Sequence, residues 1–357
     1  MTNFTDIRDF LRAHCARYPE LALQDVFKAL YQSAFGCEHL IADPSAAADY
    51  IRAEAARSGD RISELVELLG GDYCRVHLGI LQDGLSAETF ARLFALSARH
   101  EECGREKLEA MLTALQTMAD AGELPFSAQE TAEAVERWRK DGFPPLHHSE
   151  IFRQNYAPAY RVLRRDFARA LPLFARIDRL TAERSRVLVA IEGGSASGKT
   201  TLGELLQNVY GCPVFHMDDF FLRPEQRTEA RFTQPGGNVD RERFLEEVLI
   251  PLREGRPVDY RRFDCATFTI APPQRIKAGT LNMSRARTPC TPTLRRTTIY
   301  PFFCRFRQKN SASASSNGMR PRMQSSFSTA GSLSSSAIST RSMCGTAAIS
   351  SFRRTIK

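Results

Sequence analysis

The sequence predicts a multidomain protein: an all-α domain over residues 1–180, the opening part of a parallel α/β domain over 181–282, and a disordered tail over 283–357. Three observations carry this. Apolar residues recur three and four apart through the first half of the chain. Short runs rich in β-branched residues replace that spacing from Val187. The acidic residues then stop: all 41 lie at or before Asp264.

Within residues 1–180, "FTDIRDFLRAHCARY", "LALQDVFKALYQSAF", "AETFARLFALSARH" and "KLEAMLTALQTMADAG" read as amphipathic helices, separated by short turn signals such as "GGDY" and "DGFPP". About eight helices are expected, with no repeat of fixed period. "YQSAFGCEHL" sets Cys37, Glu38 and His39 together, and "YCRVHLG" sets Cys74 and His77 at a spacing used by zinc ligands. Cys and His on helices are more often core residues, and that is the reading adopted. "HHSEIFRQNYAPAYRVLRRDF" places His147 and His148 beside a basic helix, read as a linker.

At "SRVLVAIEGG" the run Val187–Ile191 has the continuous apolar character of a strand buried on both faces. "CPVFHM", Cys212 to Met217, is a second such run after a helix-length segment. Strand, glycine-rich turn, helix, strand opens a parallel α/β domain. "DRERFLEEVLIPLREG" comes next as an amphipathic helix with Asp240 as its N-cap and Gly255 as its stop.

Between the first strand and its helix lies "GGSASGKTT", that is Gly193, Gly194, Ser195, Ala196, Ser197, Gly198, Lys199, Thr200 and Thr201. It satisfies G-x-x-x-x-G-K-[ST], the phosphate loop of P-loop NTPases. Small residues let the backbone wrap an anion, so that successive N–H groups and the helix N-terminus point at one phosphate. Lys199 is expected to reach the β and γ phosphates of ATP, and the Thr200 hydroxyl to bind Mg²⁺.

The stretch "FHMDDFFLRPEQR" extends this. With "GGSASGKT" it resembles the uridine kinase, phosphoribulokinase and pantothenate kinase group of P-loop kinases, and its "DDFF" form is like that of nicotinamide riboside kinases. The resemblance covers about 186–282. It implies that Asp218, followed by Phe220 and Phe221, is the base towards a substrate hydroxyl, and that Asp240, Tyr260, Arg262 and Asp264 are candidates for a polar substrate pocket. The chain departs from the uridine kinases at two places: Phe232-Thr233-Gln234-Pro235 lacks the Asp of their F-D-H-P run, and Phe263-Asp264 is not followed by His-Ser-Arg. The expected activity is ATP-dependent phosphorylation of a hydroxyl on a small metabolite, with ATP and Mg²⁺ as cofactors. The competing reading is a nucleotide-binding or regulatory protein without transfer.

Charge settles less than it promises. The net +8 hides a division: residues 283–357 hold 11 Arg, 2 Lys, 16 Ser and no acid, which supplies +13 and leaves residues 1–282 at −5. A basic nucleic-acid-binding arm is one reading of the tail. The genetic code favours another. In a frame shifted near Asn282, the codons for Met283 to Pro292 permit V-E-G-A-Y-S-M-H-P, and those for Thr293 to Gln308 permit D-F-A-A-Y-Y-D-L-S-V-F-L-S-I-S-P. The first supplies the strand ending in Glu-Gly that the resemblance implies, and the second a buried strand. As written, residues 283–357 are expected to form no strand and to contribute no lid. No nucleic-acid or membrane partner is therefore expected. Nine cysteines without a CxxC pair and the absence of an apolar run of 18 residues fit a cytoplasmic protein.

Overall fold

The computed structural model describes residues 7–37, 44–57, 64–98, 104–193, 198–234, 236–286, 301–307 and 326–329. The chain divides after Arg179 into two compact units.

The first unit carries helices α1 (Ile7–Arg17), α2 (Leu23–Phe35), α3 (Pro44–Arg57), α4 (Ala87–Ser97), α5 (Gly104–Asp120), α6 (Ala128–Lys140), α7 (Glu150–Tyr156) and α8 (Arg165–Glu183). It is not all-α. Strands β1 (Val66–Leu68), β2 (Tyr73–His77) and β3 (Tyr160–Arg164) form an antiparallel sheet in the order β1-β2-β3. The segment expected to be one basic linker helix is therefore a helix, a strand and the start of another helix.

Helix starts obey the sequence signals. Ser86, Ser127 and Ser149 accept hydrogen bonds from the third backbone N–H of α4, α6 and α7, an arrangement worth about 1 kcal/mol each. Gly36, with φ +69°, ends α2 against the Tyr73 ring, where a Cβ would collide. Leu30 and Val26 of α2 join Leu108, Leu112, Leu115 and Met118 of α5 in the core. The chain's single tryptophan, Trp138, lies there too, with its ring stacked on Phe27 at 4.9 Å and donating Nε1–H to the Pro144 carbonyl.

One face of this sheet is polar and buried. Glu67 lies directly across from Arg75, and His77 across from Tyr160. Glu67 accepts from the Tyr18 hydroxyl at 3.0 Å and lies 3.2 Å from His14 Nδ1. Burial alone would raise its pKa, but the Arg75 charge and the His14 hydrogen bond overcome this and hold it low. Burial pulls His77 and His148 down to about 4, so both are neutral near pH 7. The His148–Asp25 contact of 2.8 Å is then a hydrogen bond from imidazole to carboxylate, not an ion pair.

These shifts set an acid limit. A histidine whose folded pKa lies below its unfolded value, about 6.5, stabilises fully above that value and loses the contribution as pH falls towards about 4. Each loses about 1.4 kcal/mol per pH unit across that window. Glu67 and Asp25, both held low, add a loss of the same sign below the ordinary carboxylate range. Urea midpoints followed by Trp138 fluorescence are expected to fall steeply between pH 6.5 and 4.5. A flat profile would contradict the buried neutral histidines.

The second unit holds β4 (Val187–Gly193), α9 (Lys199–Tyr210), β5 (Val214–His216), α10 (Glu229–Phe232), α11 (Arg241–Phe244), α12 (Ile250–Glu254), β6 (Val258–Tyr260), β7 (Phe263–Asp264), β8 (Thr269–Ile270), β9 (Gln274–Ile276), β10 (Leu281–Ala286), β11 (Pro301–Arg307) and β12 (Ser326–Thr329). Its main sheet has the order β12-β11-β4-β10-β5. β11, β4, β10 and β5 are mutually parallel, and β12 is antiparallel at the edge. Val187, Val189, Ala190 and Ile191 of β4 are buried.

The expectation of no strand is corrected for residues 283–286, 301–307 and 326–329; the rest of the expected tail lies outside the described residues. β10 continues through Ala286, and β11 and β12 are strands within residues 283–357. The backbone of 283–286 is drawn into the sheet because β4 and β5 each leave a ladder of N–H and C=O groups that needs a partner. Among the described residues no helix is long and apolar enough to cross a membrane.

Candidate nucleotide site

β4 delivers the chain to the loop with Gly193 as its last residue, and α9 starts at Lys199. Gly194, Ser195, Ala196 and Ser197 lie outside the described residues. Gly198 is the N-cap of α9 with φ +88°, a left-handed conformation that favours glycine. A Cβ added there would meet nothing within 4 Å, so the space over its backbone is open. Lys199 is buried at the first turn of a 12-residue helix, and Thr201 is exposed. Open space, a left-handed glycine and the N–H end of a helix together suit a phosphate.

The cation position is different. Arg285, from β10, donates Nη1–H to the Thr200 hydroxyl at 3.1 Å. The expected Mg²⁺ ligand is thus held by a guanidinium. As arranged, these residues fit a nucleotide's phosphates but not Mg²⁺ at Thr200, because a fixed positive charge sits on the oxygen that Mg²⁺ would need. Arg285 escaped the sequence reading, which ended the domain at residue 282. Its only signal was register, since it lies level with Ile191 of β4 and His216 of β5.

Asp218 comes after β5 on a single turn of 3₁₀ helix, Met217–Asp219. β5 is not the direct neighbour of β4; β10 lies between them. With strands about 4.8 Å apart, the ends of β4 and β5 are about 10 Å apart on the same edge of the sheet. Phe220 anchors the turn: it is fully buried, packs edge-on to Phe244 at 5.1 Å, and lies under the Arg243 guanidinium at 4.1 Å. Phe221 is half-buried and lies 6.5 Å from the Phe263 ring. The two aromatic residues of "DDFF" thus hold the turn while Asp218 and Asp219 stay half-buried at the sheet edge.

Asp219 is engaged. It accepts the Tyr260 hydroxyl at 2.7 Å and pairs with Arg262 Nε at 3.0 Å. The Tyr260 oxygen also accepts the His216 backbone N–H at 2.9 Å. Burial, then the Asp219 carboxylate, push the Tyr260 pKa up, so the phenol stays protonated as the donor. His216 is lowered by burial and by Arg285.

The four candidate pocket residues do not form one group. Tyr260 and Arg262 join Asp219. Asp240 is buried and accepts the Arg243 backbone N–H at 3.1 Å, capping α11. Asp264 is exposed in the β7–β8 hairpin and accepts Ala266 N–H at 2.8 Å. In the first unit, Cys74 and His77 stand three apart on a strand and so point to opposite faces. Cys74 donates to the Leu163 carbonyl at 3.5 Å, and the pair does not converge as metal ligands. Glu38 and His39 lie outside the described residues.

No protein-family model matches the chain, and no curated protein matches it. Among solved structures it is weakly similar to one titled "Structure of a Possible Uridine Kinase from Bacillus stearothermophilus", with a TM-score of 0.29 and 21% identity over 37% of this chain and 80% of that one.

Proposed function

We propose that this chain binds ATP through the loop after β4 and belongs by activity with kinases that phosphorylate a hydroxyl on a small polar metabolite. One observation carries the reading: a G-x-x-x-x-G-K-T loop at the end of β4 and an aspartate-bearing turn at the end of β5 open on the same edge of a parallel sheet, where ligands of open α/β folds bind. ATP, when bound, supplies the phosphoryl group. Gly198 and the N-terminus of α9 receive its phosphates, and Lys199 neutralises their charge. Asp218 orients the acceptor hydroxyl and takes its proton as the new P–O bond forms and the bond to the leaving ADP breaks. Asp219, held by Tyr260 and Arg262, keeps the turn and its neighbour Asp218 in place.

A second reading rests on Arg285. With its guanidinium on Thr200, the chain binds nucleotide but turns over weakly or not at all, as a nucleotide-binding or regulatory protein would.

The test is a screen of metabolite alcohols, nucleosides and other ribosides included, for ATP-dependent phosphorylation. Asp218→Asn is expected to lower kcat for any acceptor found by about 10²- to 10⁴-fold, with ATP affinity changed by less than about threefold. Transfer unchanged in that variant would remove Asp218 from the chemistry. ATP binding without transfer to any alcohol would favour the second reading.

A further inference from the structure

His216, the last residue of β5, stands between the phosphate loop and the Asp218 turn. In register it is level with Arg285 of β10, which is level with Ile191 of β4. Residues level with one another across a parallel sheet turn their side chains to the same face. For Ile191 that face is the one covered by α9, since its δ-methyl lies 3.8 Å from where a Cβ on Gly203 would stand. Arg285 reaches Thr200 of the same helix. The chain neighbours of His216 agree: Phe215 and Met217 alternate with it and turn away, into a core cluster with Phe244 and Val248.

The ring is half-buried, and its Nδ1 is sealed from solvent with no hydrogen-bond partner among the described residues. A proton on that nitrogen would be a buried donor without an acceptor, a costly arrangement. The neutral ring therefore carries its proton on Nε2, on the side that solvent reaches. Burial, then the Arg285 charge, hold the imidazole below its ordinary pKa, so the neutral form prevails near pH 7. Asp219 and Asp218 pull the other way and Arg262 adds to Arg285, which places the imidazole within reach of the charged groups on both sides of it. Its backbone is pinned: the Tyr260 hydroxyl oxygen accepts the His216 N–H at 2.9 Å and lies 3.1 Å from the His216 carbonyl oxygen. One N–H on a fixed strand end thus faces the span of about 10 Å between the ends of β4 and β5.

We propose that His216 recognises the γ-phosphate of the bound nucleotide, donating Nε2–H to one of its oxygens, and so sets the preference of the chain for a triphosphate over a diphosphate. This deepens, and rests on, the reading that the loop after β4 holds ATP. The phosphates begin at Gly198 and Lys199 and the acceptor hydroxyl lies at Asp218, so the group passed between them crosses the level of the sheet that His216 and Arg285 occupy. A neutral donor suits that place. It stabilises charge on the phosphoryl oxygens without pairing with the Asp218 carboxylate, as a second cation there would.

The test is titration calorimetry of the full chain with ATP and with ADP, each without Mg²⁺, so that competition at Thr200 does not enter. His216→Phe, which keeps a planar ring and removes the N–H, is expected to weaken ATP binding about tenfold and ADP binding by less than about twofold. His216→Gln, which returns an N–H near the position of Nε2, is expected to recover most of the loss. Equal losses for the two nucleotides in His216→Phe would show a structural role, and unchanged ATP affinity would show no contact; either overturns the proposal while leaving ATP binding by the loop in place. Unsubstituted protein that binds neither nucleotide would overturn the nucleotide reading and the role of His216 with it.

Discussion

Replacing Arg285 with Glu is expected to tighten Mg²⁺-dependent ATP binding by about 10- to 100-fold. Two unit charges 4 Å apart interact by about 4 kcal/mol at the effective dielectric of a protein surface, and Arg285 is only partly buried, so a fraction of that is expected. The change removes a cation from the Thr200 hydroxyl and puts a carboxylate level with Ile191 and His216, facing the end of the phosphate loop. Titration calorimetry with ATP, run with and without Mg²⁺, separates the effect from a general gain or loss. The quantity that matters is the ratio of the two affinities. An unchanged ratio would mean that Arg285 does not compete for the cation. Arg285→Ala should fall between the two, since it frees the hydroxyl without adding a ligand.

Lys199→Ala is the second large effect. Lys199 starts α9 beside the left-handed Gly198, and its charge is the main one the loop brings to the phosphates. A charge-assisted hydrogen bond to phosphate, lost from a partly desolvated site, is worth about 1.5–3 kcal/mol, so ATP affinity should fall by about 10- to 150-fold. Adenosine affinity, which involves no phosphate, should not change. Equal losses for both ligands would indicate a damaged fold in place of a lost phosphate contact.

The elements around the site were legible because their signals are local. β4 is one apolar run, the loop is a fixed motif, and Asp240 and Gly255 bracket their helix by chemistry that acts within a few residues. The sheet of the first unit was not. β2, "YCRVH", is buried along its whole length although three of its five residues are polar or weakly apolar. In the sequence reading His77 belongs to a helix core and Arg75 has no role, yet Glu67, Gln32 and Tyr160 cover them from elements up to 128 positions away from one another. Hydropathy periodicity cannot report a polar face that is buried by other polar groups. The strand β10 was missed for a related reason. "LNMSRA" has little apolar pattern of its own and is held by backbone ladders to β4 and β5. The role of Arg285 depends on that register.

The order β11-β4-β10 also has a temporal side. Val187 pairs with Leu281, and Leu188 with Pro301, so the strand that carries the phosphate loop acquires neither neighbour until about a hundred more residues have been made. Such distant pairings are slow to form because long loops must close before any contact rewards them. During synthesis the apolar β4 therefore waits with both edges bare, a template for pairing with other chains. A polypeptide stopped at residue 282 would keep only the start of β10 and none of β11. Its nascent α/β unit should depend on chaperones and collect as aggregate, which makes the yield of soluble protein a sensitive gauge of whether residues 283–307 can close the sheet.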